Sequence, residues 1–209
     1  VEYNPADAYE RGGSQTNPGQ AKRIAAWVFE QARLHPQLSL GVGAFSQSQQ
    51  QAILDEIEQL RLSDDSLEGF FSAERQEPFF VKNLETIQGD ERDVIVLSVG
   101  YGKRDPAERL SMNFGPLNQQ GGWRRLNVLV TRARQRCVVF TSIRPEDFDL
   151  EASSARGVHA LCDYLRFAFS GQATLQAAKQ QPADSLAQQV SAALAERGLA
   201  ETVPFITDG

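Results

Sequence analysis

Two arginines seven positions apart, Arg125 and Arg132, stand in the stretch Gly121-Gly122-Trp123-Arg124-Arg125-Leu126-Asn127-Val128-Leu129-Val130-Thr131-Arg132-Ala133-Arg134. Leu126, Leu129, Val130 and Ala133 recur at i, i+3, i+4 and i+7, so the spacing predicts a helix with one buried face. Seven residues make nearly two turns, which places the two guanidinium groups one above the other beside the apolar stripe. Each offers a planar fork of donors that matches phosphate oxygens, so together they can reach one anion. Taken alone, the arginines also fit a plain surface helix.

A second stretch runs from Val81 to Ile95 and reads as strand, polar turn, strand, with Gln88-Gly89-Asp90-Glu91 in the turn. Gly89 permits a positive φ or the close approach of a ligand to the backbone. Glu91 can orient a hydroxyl or a water. By itself such a glycine-bearing loop is commonplace.

The formal net charge of −6 excludes a generally basic chain, but the charge is unevenly spread. From Arg109 to Pro145 there is no Asp or Glu, yet Arg109, Arg124, Arg125, Arg132, Arg134, Arg136 and Arg144 fall there, leaving 14 basic against 27 acidic residues elsewhere. Such a block attracts phosphate from nucleotide or nucleic acid, or forms a solvated basic face. Cys137 and Cys162 lie within apolar runs and read as buried thiols of a reducing, cytoplasmic setting. His35 and His159 have no partner at ligand spacing, so no metal site is expected. No apolar run approaches the ~20 residues of a membrane helix and no signal peptide is evident. The chain starts at Val1 and its one methionine is Met112, so it is expected to be a piece of a longer protein.

The elements that must carry these residues follow from periodicity. Residues 1–16 have none. Asn17-Pro18-Gly19-Gln20 reads as a helix start with Asn17 as cap and Gln20 completing a capping box, followed by Ala21, Ile24, Ala25, Val28 and Ala32 in helical phase. Leu38 to Phe45 reads as a buried strand, then a helix from about Gln49 through Ile53, Ile57 and Leu60. Phe79 to Val81 and Val94 to Val99 read as strands, the latter covered on both faces. A long loop at 100–121, a helix from Trp123 to Ala133, a strand from Cys137 to Thr141 and a helix bearing Val158, Leu161, Cys162, Leu165 and Phe169 complete the set. Alternating strands and helices predict an α/β fold, a parallel sheet with helices on both faces. Residues 170–184 read as a linker. Residues 185–209, a helix and a possible strand at Val203 to Ile206, are too short to fold alone.

Together the two charged stretches resemble motifs V and VI of superfamily 1 helicases, in the group that includes the nonsense-mediated-decay helicase and its bacterial relatives. There "QG-x-E" follows a strand and "RRLNV-x-x-TRA-R" comes some thirty residues later, as Gln88-Gly89-Asp90-Glu91 and Arg124 to Arg134 do here. Leu40 to Gln49 looks like motif IV, so the resemblance spans about residues 17–144. Arg11-Gly12-Gly13-Ser14, Val99-Gly100-Tyr101-Gly102 and Ser111 to Asn118 narrow it to a bacterial branch of large multidomain helicase-like proteins.

The resemblance implies the second, C-terminal RecA-like motor domain over residues 1–169, with ATP and Mg²⁺ held mainly by a first RecA-like domain of the same polypeptide. It implies that Arg132 is an arginine finger supported by Arg125. Gln88, Gly89 and Glu91 then lie near the nucleotide, and Ser46, Gln47, Asn83, Glu85, Thr86 and Thr131 along a track for single-stranded DNA or RNA. The branch often continues into a nuclease-like domain, whose opening residues 185–209 resemble without its acidic residues. Two departures stand out: Asn17-Pro18-Gly19-Gln20 replaces Asn-Arg-x-Glu, and Ala44-Phe45-Ser46 replaces a Thr-Pro-Tyr-like turn. No Gly-x-x-x-x-Gly-Lys-Ser/Thr loop occurs, so at most half an ATP site is expected and the chain alone should be inactive. A non-catalytic RecA-like scaffold in a decayed helicase is the alternative, and a nuclease-associated structural domain a third.

Overall fold

The computed structural model describes residues 1–170. Five strands, β1 (Glu2–Tyr3), β2 (Leu40–Ala44), β3 (Phe80–Asn83), β4 (Arg92–Ser98) and β5 (Ala133–Thr141), form one sheet in the order β1-β5-β4-β2-β3. Every neighbouring pair is parallel. The helices are α1 (Pro18–Leu34), α2 (Gln47–Ser63), the single-turn α3 (Glu68–Phe71), α4 (Gly122–Val130) and α5 (Arg156–Ser170).

Alternation along the strands divides the core in two. Val94 and Val96 join Leu40, Val42, Val138 and Phe140 beneath Ile24 and Val28 of α1 and Ile53 and Ile57 of α2. Ile95, Leu97 and Val139 point the other way, to Leu126 and Leu129 of α4 and Leu161 and Leu165 of α5. Both faces of β4 are therefore covered, which is why Val94, Ile95, Val96 and Leu97 are apolar without a break. The architecture is the expected α/β arrangement, consistent with a RecA-like fold, with helices on both faces of a parallel sheet.

Residues 84–91 join the carboxyl end of β3 to the amino end of β4. Because β2 lies between those strands, this segment must cross β2. It does so in eight residues with no helix, where parallel crossovers usually need a dozen or more. Leu84 and Ile87 are buried on the α4 side of the sheet. The room comes from β2: a Cβ on Gly43 would stand 2.2 Å from Leu129 Cδ1 and 3.2 Å from Ile87 Cδ1, and one on Gly41 would meet the Phe80 ring at 2.4 Å. Glycine lets side chains of the crossover and α4 lie directly on the strand backbone.

The start of α1 is as expected for its cap, with Asn17 Oδ1 accepting from Gln20 N at 3.0 Å and Pro18 in the first turn. The reciprocal half of the capping box is not formed. Gln20 instead turns its Oε1 to Ser98 Oγ (2.7 Å) and Gly100 N (2.9 Å), and Asn17 N donates to Gln49 Oε1 at 2.7 Å. Gln20 is fully buried against the end of β4, and that burial directs its amide away from the cap.

The helix expected from Trp123 to Ala133 ends sooner, at Val130. Thr131 donates its hydroxyl to Asn127 O (3.0 Å) and Val128 O (3.1 Å), and Arg132 Nε donates to Val128 O at 2.8 Å. These bonds satisfy the last carbonyls of the helix and stop it. The chain then enters β5 at Ala133, four residues before the strand expected at Cys137, so Arg134 is a strand residue. A two-residue strand, β1, also lies in the stretch read as without periodicity, held by the end of β5. The linker assigned to 170–184 begins at the last residue of α5. Its remainder and the piece at 185–209 lie outside the described residues.

Candidate functional site

The Gln-Gly turn and the end of α4 meet at the amino edge of the sheet, where β4 and β5 begin. Arg92 N donates to Arg132 O at 3.2 Å, which ties the residue after Glu91 to the finger candidate itself. Gly89 has φ +91° and no atom within 4 Å of the place a Cβ would take, so the turn leaves open space above it. Gln88 is exposed, and Glu91 and Arg132 are half-buried.

Arg132 is anchored at three points. Nε donates to Val128 O, Nη2 donates to Thr131 Oγ1 at 3.1 Å, and Nη1 stands 3.7 Å from Glu91 Oε1. Its side chain is 14% exposed and that of Glu91 39%. The first two bonds fix the plane of the guanidinium. The third contact is too long for a hydrogen bond and leaves Nη1 facing the turn.

Arg125 is not brought to this point. Its Nη1 lies 3.4 Å from Pro116 O and from Gln120 O, at the other end of α4. With Arg132 beyond the end of the helix, the two guanidinium groups expected to stack are anchored at opposite ends of it. The seven-arginine block likewise forms no single patch. Arg134 donates to Glu77 and Asp93, Arg136 lies over the ring of Trp27 on α1, and Arg144 lies 4.4 Å from the Tyr3 ring centre. Burial pushes the Asp93 carboxyl up, but hydrogen bonds from Ser39 and the charge of Arg134 outweigh it and hold Asp93 below its ordinary range. Hydrogen bonding from Arg134 likewise lowers Glu77.

A second cluster lies at the opposite, carboxyl edge, where β2 and β3 end in register at Ala44 and Asn83. Ser46 Oγ caps α2 by accepting from Gln49 N at 3.2 Å, and Gln47 beside it is exposed. Asn83 Oδ1 accepts from Glu85 N (2.9 Å) and Thr86 N (3.2 Å), while its Nδ2 donates to Gln50 Oε1 at 2.8 Å. Gln50 Nε2 donates to Val81 O at 2.9 Å. Asn83 is thus the hinge of a turn that presents the exposed Glu85 and Thr86 beside Ser46 and Gln47. Thr131, expected on the same track, lies at the other edge with Arg132. Sequence reasoning missed Gln49 and Gln50; the glutamine run Gln47-Ser48-Gln49-Gln50-Gln51 at a helix start was the available signal.

Among the described residues no group of three or more His, Cys, Asp or Glu could hold a metal ion, and no helix is long and apolar enough to cross a membrane. Cys137 and Cys162 are free, and burial pushes both thiols up to about 11.

A family model described as an AAA domain matches residues 2–144. An uncharacterized ATP-dependent helicase of Mycoplasma genitalium is 45% identical over 91 residues, 44% of this chain and 8% of that protein. Its homolog in Mycoplasma pneumoniae is 43% identical over 88 residues, 42% of this chain and 7% of the relative. The chain spans less than a tenth of the length of the curated relatives it matches.

Proposed function

From a chain that belongs to the AAA domain family, we propose the second, C-terminal RecA-like motor domain of an ATP-dependent superfamily 1 helicase or translocase. The relatives named ATP-dependent helicases support the activity of the whole protein. The paired motifs support the C-terminal position and the branch that includes the nonsense-mediated-decay helicase.

The observation that carries this reading is Arg132, held in one plane by a helix carbonyl and a threonine hydroxyl, with Nη1 turned to the open Gly89 turn. Positive charge fixed where negative charge develops on a transferring phosphoryl group stabilises the transition state without reorganising. ATP supplies that phosphoryl group. Gln88, Gly89 and Glu91 border it, and Arg125 acts from a distance by bracing the start of α4. Mg²⁺ and the β-phosphate are held by the first motor domain, since this chain has neither a phosphate loop nor an acidic cluster among its described residues. At the carboxyl edge, Ser46, Gln47, Glu85 and Thr86, set by Asn83, follow the backbone of single-stranded DNA or RNA. Thr131 serves the finger, orienting Arg132, rather than the strand.

The test is strand-stimulated ATPase of the complete protein, DNA and RNA compared, with Arg132→Ala. Loss of a finger lowers turnover by roughly 10³–10⁵; unchanged turnover removes the role. The 209-residue chain alone is expected to show no ATPase above background, and robust turnover by it would contradict the half-site assignment.

A non-catalytic scaffold is the second reading, favoured by Gln20. Where related helicases carry a glutamate, this amide is buried against Ser98 and Gly100 and serves packing. Wild-type turnover indistinguishable from background in the complete protein, with strand binding kept, would select it.

A further inference from the structure

At the start of α4, nine residues and about 13 Å of helix from the Arg132 end, a cavity of about 680 Å³ opens between the first turns of α4 and α5. Trp123, Arg124 and Arg156 line it together with Asn118, Gln120 and Gly121. The Arg124 guanidinium lies 5.2 Å from the Trp123 ring centre and that of Arg156 5.0 Å. No carboxylate lines the cavity, and neither guanidinium forms an ion pair among the described residues. Two like charges held on one indole repel each other, and no described residue lining the cavity carries a compensating negative charge.

The frame around them is rigid. A Cβ on Gly122 would stand 2.2 Å from Leu117 O and one on Gly157 2.1 Å from the same atom, so both helix starts are pressed onto a single carbonyl. Gly121, at φ +79°, turns the chain into α4 without a side-chain cap. His159 Nε2 lies 2.7 Å from Ser153 O and pins the turn before α5. Neither α4 nor α5 has an acidic residue in its first turn, so the positive ends of both helix dipoles add to the two guanidinium charges.

We infer that this cavity is a phosphate-binding site separate from the Arg132 site, with Arg124 and Arg156, both seated on the Trp123 ring, gripping the phosphate. The cavity has the volume of a small-ligand pocket. The phosphate belongs either to an internal position of a single strand or to a free nucleotide. The inference rests on the cavity alone, so it stands or falls independently of the finger assignment.

Of the two tryptophans, Trp27 belongs to α1 and packs edge-on against Phe140, so Trp27→Phe leaves Trp123 as the one indole reporter. The 209-residue chain with that change is titrated at low salt with an oligothymidylate and, separately, with thymidine monophosphate, and Trp123 emission is followed. Saturable change with either probe is expected. Arg124→Gln with Arg156→Gln, both exposed positions, should weaken binding roughly tenfold or more and, for the strand, reduce the salt slope by about two. A response to the strand alone assigns the phosphate to a polymer, and a response to both assigns it to a nucleotide unit. Unchanged emission with both probes, or equal affinity in the doubly substituted chain, overturns the site.

Discussion

The Arg132 guanidinium faces the Glu91 carboxylate at 3.7 Å across the point where β4 and β5 begin, while its other nitrogens are bound to Val128 O and Thr131 Oγ1. Three donors of one planar group have three separate tasks. A lysine has the charge but neither the fork nor an Nε–H for the helix carbonyl. Arg132→Lys is therefore expected to lose nearly as much strand-stimulated ATPase in the complete protein as Arg132→Ala. If lysine retained more than about a tenth of wild-type turnover, charge alone would be sufficient and the fork argument would fail.

Gln49 joins the first turn of α2 to the cap of α1, accepting from Asn17 N at 2.7 Å and donating to Asn17 O at 3.3 Å. Gln49→Ala leaves a buried backbone amide without its acceptor. Urea unfolding should show a loss of about 1–3 kcal/mol. A midpoint equal to wild type would mean that another acceptor, or Gln20, takes over the bond.

Gly43→Ala sets a methyl group onto Leu129, at a separation no packed pair tolerates. Overpacking of this kind costs about 1–3 kcal/mol. In a Leu129→Ala background the added methyl should cost much less, because the space is vacated. Additive effects in that double-mutant cycle would show that the clash is relieved elsewhere.

Asp93 and Glu77 both titrate below their ordinary range because Arg134 and Ser39 favour their charged forms. A lowered folded pKa gives stability that is present above the unfolded value and disappears as pH falls through the folded one. Arg134→Gln should accordingly reduce stability at pH 7. The gap to wild type should close as pH drops below about 4, where the carboxylates protonate. Urea midpoints across that range decide it, and a gap that persists at low pH would assign the effect to packing.

The longer helices α1, α2 and α5, the covered strand β4 and the two-faced core were readable because periodicity reports burial directly, whereas the single-turn α3 is too short to show a period. Ile95 and Leu97 against Val94 and Val96 needed no further information. What sequence could not give was competition between partners distant along the chain. Gln20 satisfies the spacing of a capping box, yet Ser98 and Gly100 hold its side chain, and Gln49, 32 residues on from Asn17, takes its place. The helical phase of Leu126 to Ala133 overran the true end because Thr131 and Arg132 stop the helix through side-chain bonds that periodicity does not register. The same event separated Arg132 from Arg125. Arg156 gave no local signal at all, since only the meeting of two helix starts sets it on Trp123.

The short passage of chain over the bare backbone of β2 has a mechanical corollary. Its one end is the Asn83 turn and its other the Glu91 carboxylate, so opposite rims of the sheet are spliced by eight residues with Ile87 wedged at the midpoint. A pull on either rim has little slack to take up before it reaches the other. The domain thereby carries a tie rod between its two ends, made from a loop and seated in a groove that only missing side chains could provide.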